Sequence, residues 1–385
     1  MCIAARGKGK GMRMEKLQFC APCLFGIEGI LGDELRRMGA QEVRPENGRV
    51  LFSGDMAMLA RANIQSRYAE RIQIWMGSFP AKTFDELFEG VKALPWERFV
   101  GSRNAFPVKG WSLNSALHSI PDCQSIVKKA VVERLKSVYG IQWFEETGSK
   151  VQIQFTLLRD EAMLLLDTSG PGLHKRGYRP QAGGAPIKET LAAAIADLTK
   201  ARFAEQVIDP CCGSGTLLIE AALAAKRIAP GIRRRFAAME WDAVPKAIWP
   251  EERRRAKELE RPDCRFHGLG GDIDPACVRL TECNARAAGV GDCITAREAD
   301  LKDFRPQGDS GLVLCNPPYG ERLLDVKAAE QIIREMGRVF ERKPGFRYAV
   351  ISPHEEFETL FGRPADKRRK LYNGMLKCQL YMYFK

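Results

Sequence analysis

The sequence predicts an α/β fold: a mostly parallel, doubly wound sheet in the C-terminal half, preceded by a smaller α+β region. Three observations carry this expectation. At 385 residues the chain exceeds what one core usually holds. The Gly- and Pro-rich stretch SGPGLHKRGYRPQAGGAP, residues 169–186, reads as an interdomain connection. Beyond it, short apolar runs alternate with amphipathic helical stretches, the pattern of parallel strands joined by crossover helices.

Residues 1–13 are basic and lack an apolar signal core, so they are expected to be disordered, with Met14 an alternative start. In the piece from 14 to 67, LQFCAPCLFGIEGILGDELRRMGAQEV followed by GRVLFSG reads as strand, helix and strand, with Gly39 ending the helix. It is too short to stand alone. From 68 to 168 a second α+β pattern appears. AFPVKGW is strand-like, Pro121 and Asp122 open a helix, and Val127, Val131, Leu135 and Val138 form its apolar stripe. Lys128, Lys129, Arg134 and Lys136 fall on its other faces, and VQIQFTLL alternates as a half-buried strand does.

In the region 169–385, QVIDP precedes the helical GTLLIEAALAAK, and FHGLGGDID precedes PACVRLTECNARAAGV. ITAREAD and GLVLCNPPY follow as strands, then AAEQIIREMGRVF as a helix and RYAVISP as a strand. Asn373-Gly374 between two strand-like runs predicts a β-hairpin on the sheet edge.

The formal charge of +12 fits a folded protein with an electropositive surface, for which nucleic acid is the natural partner. Twelve cysteines are too few for a disulfide scaffold and several lie in apolar runs. No run of eighteen apolar residues occurs, so a cytoplasmic protein is expected, with no membrane partner. Cys20 and Cys23 have metal-ligand spacing, but no second pair and no His cluster follows, so no metal site is expected.

In an open α/β sheet, ligands bind beyond the carboxyl ends of the strands, which is where DPCCGSGT, residues 209–216, falls. It lacks the Lys of a phosphate-cradling loop, and Leu218 stands where a dinucleotide fingerprint needs its third glycine. Gly213 and Gly215 let backbone approach a ligand closely, and Asp209 offers a carboxylate to an amine-bearing or cationic one. Asp272 is placed for ribose hydroxyls, Asp300 for an adenine amine, and Asp274 before Pro275 for a helix N-cap. The ligand that fits this set is S-adenosylmethionine.

Asn316, Pro317, Pro318 and Tyr319 close a buried strand with a rigid corner rich in acceptors. If the Asn316 side-chain oxygen and the Pro317 carbonyl accept both N–H groups of an exocyclic base amine, its nitrogen lone pair is aimed at a methyl donor. Tyr319 offers a face for the extruded base.

DPCCGSGTLLIEAA, GGDIDP and CNPPYGERL, in that order, resemble the class I S-adenosylmethionine-dependent RNA methyltransferases acting on guanine N2. More closely, the chain resembles the THUMP-containing large-subunit ribosomal RNA guanine-N2 methyltransferases in their single-methyltransferase form. SIVKKAVVERL and LLLDTSGPGLHKRGYR are similar to the family's THUMP domain and its exit, and the N-terminal piece to its ferredoxin-like companion. The likeness covers nearly everything after Met14. It implies a Rossmann-like methyltransferase domain, cofactor contacts at Asp209, Gly213, Gly215, Asp272 and Asp300, and Asn316, Pro317 and Tyr319 at the methyl acceptor.

It further implies RNA contact through Lys128, Lys129, Lys175, Arg176 and Arg179, and closure of APIKETLAAAI over the methionine end. The 63 positions from Asp209 to Asp272 leave an Arg-rich excess at about 227–262, carrying Trp241 and Trp249. It reads either as a helical insert beside the active site gripping RNA phosphates, or as a solvated charged helix with its Trp residues packed inward. The expected reaction is methylation of a guanine amine, most naturally in 23S ribosomal RNA. The rivals are a transfer RNA guanine methyltransferase, an adenine-N6 methyltransferase, and a non-catalytic RNA-binding assembly factor.

Overall fold

The computed structural model describes residues 16–179, 187–319 and 326–384. The expected disordered N-terminus therefore lies outside the described residues, as does part of the APIKETLAAAI and CNPPYGERL segments. In the N-terminal half the elements are β1 (Leu17–Pro22), α1 (Glu28–Arg37), β2 (Gln41–Glu46), β3 (Arg49–Gly54), α2 (Met56–Gln65), β4 (Gln73–Pro80), α3 (Phe84–Lys92), β5 (Val108–Leu113), α4 (Ile120–Tyr139), β6 (Gln152–Leu158) and β7 (Glu161–Asp167). In the C-terminal half they are α5 (Glu189–Leu198), β8 (Gln206–Asp209), α6 (Thr216–Ala225), α7 (Ile248–Glu258), β9 (His267–Asp272), α8 (Pro275–Ala288), β10 (Ile294–Glu298), β11 (Gly311–Cys315), α9 (Val326–Val339), β12 (Phe346–Ser352), α10 (Phe357–Phe361), β13 (Lys367–Asn373) and β14 (Leu376–Tyr383).

Among the described residues the strands form two seven-stranded sheets. The first has the order β2-β3-β1-β4-β7-β6-β5. Here β4 is shared: it pairs with β1 through Ile74 and Gln73 and with β7 along its length, so the two N-terminal pieces form one continuous sheet. Strand β2 carries no apolar alternation that would reveal it in the sequence, being an exposed edge of charged residues interrupted by Pro45. Gly39 ends α1 as expected, at φ 93°, with the Ala40 N–H donating back to the Leu35 carbonyl. On α4, Val127, Val131 and Leu135 are buried, whereas Val138 is 43% exposed and so lies off the stripe.

The second sheet has the order β10-β9-β8-β11-β12-β14-β13, parallel from β10 to β12 and closed by the antiparallel hairpin at Asn373-Gly374. Alternate residues of β11 serve opposite faces. Leu312 and Leu314 join the core under α5 and α6, while Val313 and Cys315 pack toward Ile333 and Met336 of α9 and Phe357 of α10. Strand order reverses between β8 and β11, which lie side by side although two strands separate them in the chain. Such a switch point leaves a crevice beyond the strand ends. No helix among the described residues is long and apolar enough to cross a membrane.

The segment from 227 to 262 is a clamp between the two halves, not a free basic helix. Glu252 of α7, 1% exposed at its side chain, forms a two-pronged ion pair with Arg61 of α2. Trp241 and Trp249 are buried, and the Trp241 indole N–H donates to the Lys150 carbonyl. Arg234 is buried and donates to the carbonyls of Pro171 and Gly172. On α7 itself, Arg254 and Arg255 are spent on Glu251, Glu252 and Glu258. The insert's Trp residues thus pack inward; Arg254 and Arg255 are neutralised within the helix, and Arg253 donates to the Arg234 carbonyl.

Candidate functional site

Parallel strands deliver their carboxyl ends to one edge, and the predicted residues arrive there from four strands. The turn after β8 holds Gly213 at φ 53° and Gly215 at φ 75°. A Cβ on Gly213 would project into open space, whereas one on Gly215 would come within 2.8 Å of Thr281 on α8. The first glycine therefore leaves room for a ligand, and the second allows the turn to sit tightly on a helix. Asp272, ending β9, accepts from the Gly213 N–H at 2.9 Å with one oxygen and from the Asp274 N–H with the other. Asp274 caps α8 through the Ala276 N–H at 2.8 Å, with Pro275 in the first turn. Asp300, after β10, caps a short helical turn and pairs with Lys302, while the adjacent Ala299 N–H donates to the Asp272 carbonyl.

Asp209 is 2% exposed, and its carboxylate accepts from the Cys211 N–H. Burial pushes its carboxyl up to about 8, Asp272 adding in the same direction and the Cys211 N–H opposing. A buried acid of this kind, lacking a cation, fits a ligand that brings one. Ile273, 68% exposed between two acids, presents an apolar surface beside Asp272. It was missed in the sequence because a single apolar loop residue carries no periodic signal, although its place between two strand-end acids is itself unusual.

The corner lies directly beside this turn, because Leu312 and Val313 of β11 pair in parallel with Val207 and Ile208 of β8. The side-chain oxygen of Asn316 is buried and has no hydrogen-bond partner among the described residues. Leaving such an acceptor unmet costs about 1–3 kcal/mol, which a donor on a ligand would offset. Pro317 is buried and Tyr319 half-buried. The Tyr319 hydroxyl accepts from the Asn373 side-chain amide at 2.6 Å, so the C-terminal hairpin holds the ring. Nothing in the sequence revealed that contact, since Asn373 is a turn former 54 positions away. The donors, acceptors and space at this edge thus fit S-adenosylmethionine.

The basic residues expected to meet RNA divide differently. Arg176 is 6% exposed and donates to the carbonyls of Leu173 and Arg67, with Glu220 at 3.6 Å. Arg179 pairs with Glu189 at 3.0 Å and donates to Thr216 at 2.8 Å, and the Tyr178 hydroxyl donates to Glu220 at 3.0 Å. Both arginines are consumed by a buried network that braces the start of α6, which removes them from an RNA surface. Burial of two carboxylates beside α6 demands that pairing. Lys128 is likewise occupied: its ammonium lies 3.5 Å from the Phe106 ring centroid and bonds Glu146 and the Phe106 carbonyl. Lys129 and Lys175 are exposed. Among the described residues no group of three or more His, Cys, Asp or Glu is arranged to hold a metal. Cys20 and Cys23 are buried, and burial pushes the Cys20 thiol up to about 12.

Three family models match consecutive parts of the chain: an RlmL ferredoxin-like domain at 18–73, a THUMP domain at 81–167, and an RMKL-like methyltransferase domain at 176–382. A putative RNA methyltransferase, YpsC, of Bacillus subtilis (strain 168) is 44% identical over 373 residues, covering 96% of this chain and 97% of its own. The ribosomal RNA large subunit methyltransferase K/L of Aeromonas salmonicida (strain A449) is 33% identical over 95% of this chain, which spans 54% of that longer protein. Among solved structures, SMU.472, a putative methyltransferase complexed with SAH, superposes with a TM-score of 0.90 at 41% identity over 96% of this chain and 98% of its own. A predicted N6-adenine-specific DNA methylase from Listeria monocytogenes gives 0.90 at 45% identity over 96% and 97%. With the strand-end site and these matches together, the chain belongs to the RMKL-like methyltransferase family, as an S-adenosylmethionine-dependent methyltransferase that carries ferredoxin-like and THUMP domains.

Proposed function

We propose that the protein transfers a methyl group to the exocyclic N2 amine of a guanine in RNA, with 23S ribosomal RNA as the substrate. The observation that carries this reading is the buried, partnerless side-chain oxygen of Asn316 beside the glycine turn. An exocyclic base amine has two N–H donors and a lone pair delocalised into the ring. With Asn316 Oδ1 and the Pro317 carbonyl each accepting one N–H, the nitrogen is held in line and the charge developing on it is stabilised without a strong general base. S-adenosylmethionine, when bound, supplies the electrophilic methyl group. Tyr319, anchored by Asn373, supports the extruded base by stacking, a contact worth about 1–3 kcal/mol.

RNA as the substrate class is supported by the names of the Bacillus and Aeromonas relatives and by the THUMP match. Lys175 and Lys129, the latter with its ammonium 5.8 Å from the Phe88 ring centroid, are exposed and suited to meet phosphates. Guanine in ribosomal RNA is supported by the resemblance of the whole chain to the large-subunit ribosomal RNA guanine-N2 methyltransferases. An adenine N6 amine presents the same two donors, and the Listeria relative is named for adenine. The deciding experiment incubates the protein with labelled cofactor and undermodified ribosomal and transfer RNA, then identifies the modified nucleoside by mass spectrometry. N2-methylguanosine in large-subunit RNA is expected. Methyladenosine would overturn the base assignment, and label confined to transfer RNA would overturn the substrate.

A further inference from the structure

A cleft of about 390 Å³ lies where the N-terminal half meets the methyltransferase domain, between the ends of α1 and α2, the C-terminal ends of α5 and α6, and α7. It is remote from the cofactor turn. Helix α6 starts at that turn and reaches the cleft with its last residues, about 15 Å away at 1.5 Å per residue. Arg37, Arg227 and Arg261 line it, all exposed and none with an ion-pair partner among the described residues.

Arg227 and Arg261 stand side by side at the neck of the insert, because the Arg261 N–H donates to the carbonyl of Lys226 at 2.8 Å. Arg227 occupies the left-handed position that ends α6, at φ 53°, where glycine is the unstrained choice. Beneath it, Arg67 is held by the carbonyls of Leu223 and Ile228 through Nη2, while its Nη1 is buried with no partner. Tyr68, 3% exposed, also lines the cleft, and its hydroxyl makes no hydrogen bond among the described residues. The carboxylates facing this space are already committed: Asp197 to Arg202, and Glu34 to the Ser66 hydroxyl and the Arg67 N–H. Phe203, 70% exposed, adds an aromatic face at the rim.

We infer that this cleft is a second nucleic-acid contact, a phosphate site that takes a backbone phosphodiester of the substrate RNA. Guanidiniums and a phenol without partners among the described residues supply donors, and Phe203 gives a neighbouring base a surface to stack on. The inference rests on the RNA reading given above. The basic character of the insert then lies not in Arg254 and Arg255 of α7, which are neutralised, but in the two arginines at its neck.

The test is filter binding of an unmodified large-subunit ribosomal RNA transcript to the full chain, over roughly 50 to 200 mM KCl. The variants are R227E/R261E, R37E, R227K/R261K and, as a control of equal charge change, R254E/R255E on α7. Melting temperature and cofactor affinity serve as checks of folding. R227E/R261E is expected to weaken binding about tenfold or more and to lower the salt slope by about two, with R37E losing less and the lysine pair staying close to wild type. Unchanged affinity and slope in R227E/R261E, or an equal loss in R254E/R255E, would overturn the site. Loss of inorganic phosphate binding in R227E/R261E with RNA binding intact would overturn the RNA assignment. A wild-type protein that binds no RNA would remove the reading beneath it, a result distinguishable because it needs no variant.

Discussion

The polar cluster at the start of α6 and the corner at Asn316 are built from similar materials and do opposite things. In the cluster, Arg176, Arg179, Tyr178, Glu189 and Glu220 are buried or nearly so, and each charged group has an opposite charge beside it, although Arg176 Nε, Glu189 Oε2 and Glu220 Oε2 make no hydrogen bond among the described residues. At the corner, a buried amide oxygen has no donor among the described residues. Opposite charges packed together hold the fold even where single atoms stay unbonded, whereas a neutral acceptor left without a donor at a strand end is open to something that is not protein. The count of polar residues is therefore less informative than whether their partners are already present.

The sharpest way to break this contrast is at Asn316. Asn316→Ala is expected to reduce methyl transfer by about 10³-fold, roughly 4 kcal/mol in the transition state, with cofactor affinity and melting temperature unchanged. A near-normal rate would mean the amide oxygen is not aimed at the acceptor. Arg179→Ala should behave in the opposite sense. It strands Glu189 in a buried site and should cost about 3 kcal/mol of stability by denaturant titration, and restored pairing in Arg179→Lys should recover part of that. Stability equal to wild type would show that the cluster is not structural.

A smaller effect concerns Asp209, which shares the edge with Asn316 but titrates. With its carboxyl pushed up to about 8, it is protonated at neutral pH until a cationic ligand draws the proton off. Cofactor affinity should then rise about tenfold per pH unit up to about 8 and level off above it, with a proton released on binding below that pH. Calorimetry in two buffers of different ionisation enthalpy measures the release, and Asp209→Asn should abolish it. A pH-independent affinity in the unaltered protein would show that Asp209 does not hold the cation.

What could be read without coordinates was local. Alternation of apolar strands and amphipathic helices defined the parallel sheet, Asn373-Gly374 the hairpin, and Asp274-Pro275 the start of α8, because each is dictated by neighbours within a few positions. The grouping of Asp209, Asp272 and Asn316 was legible for the same reason: parallel strands send every carboxyl end to one edge, so position in the strand stands in for position in space.

The direction of a charge was not legible. Arg176, Arg179 and Lys128 looked like a basic surface, yet Glu220 and Glu189 hold the two arginines inside, and Glu146 pairs with Lys128 at the surface. The same holds for the insert, whose Arg254 and Arg255 are neutralised along α7 while Glu252 reaches across to Arg61. Sequence determined which elements form and which residues share an edge, because those follow from short-range sterics and periodicity. Only the tertiary structure decided which charges face water, because an ion pair forms wherever packing brings two groups together, whatever the number of residues between them.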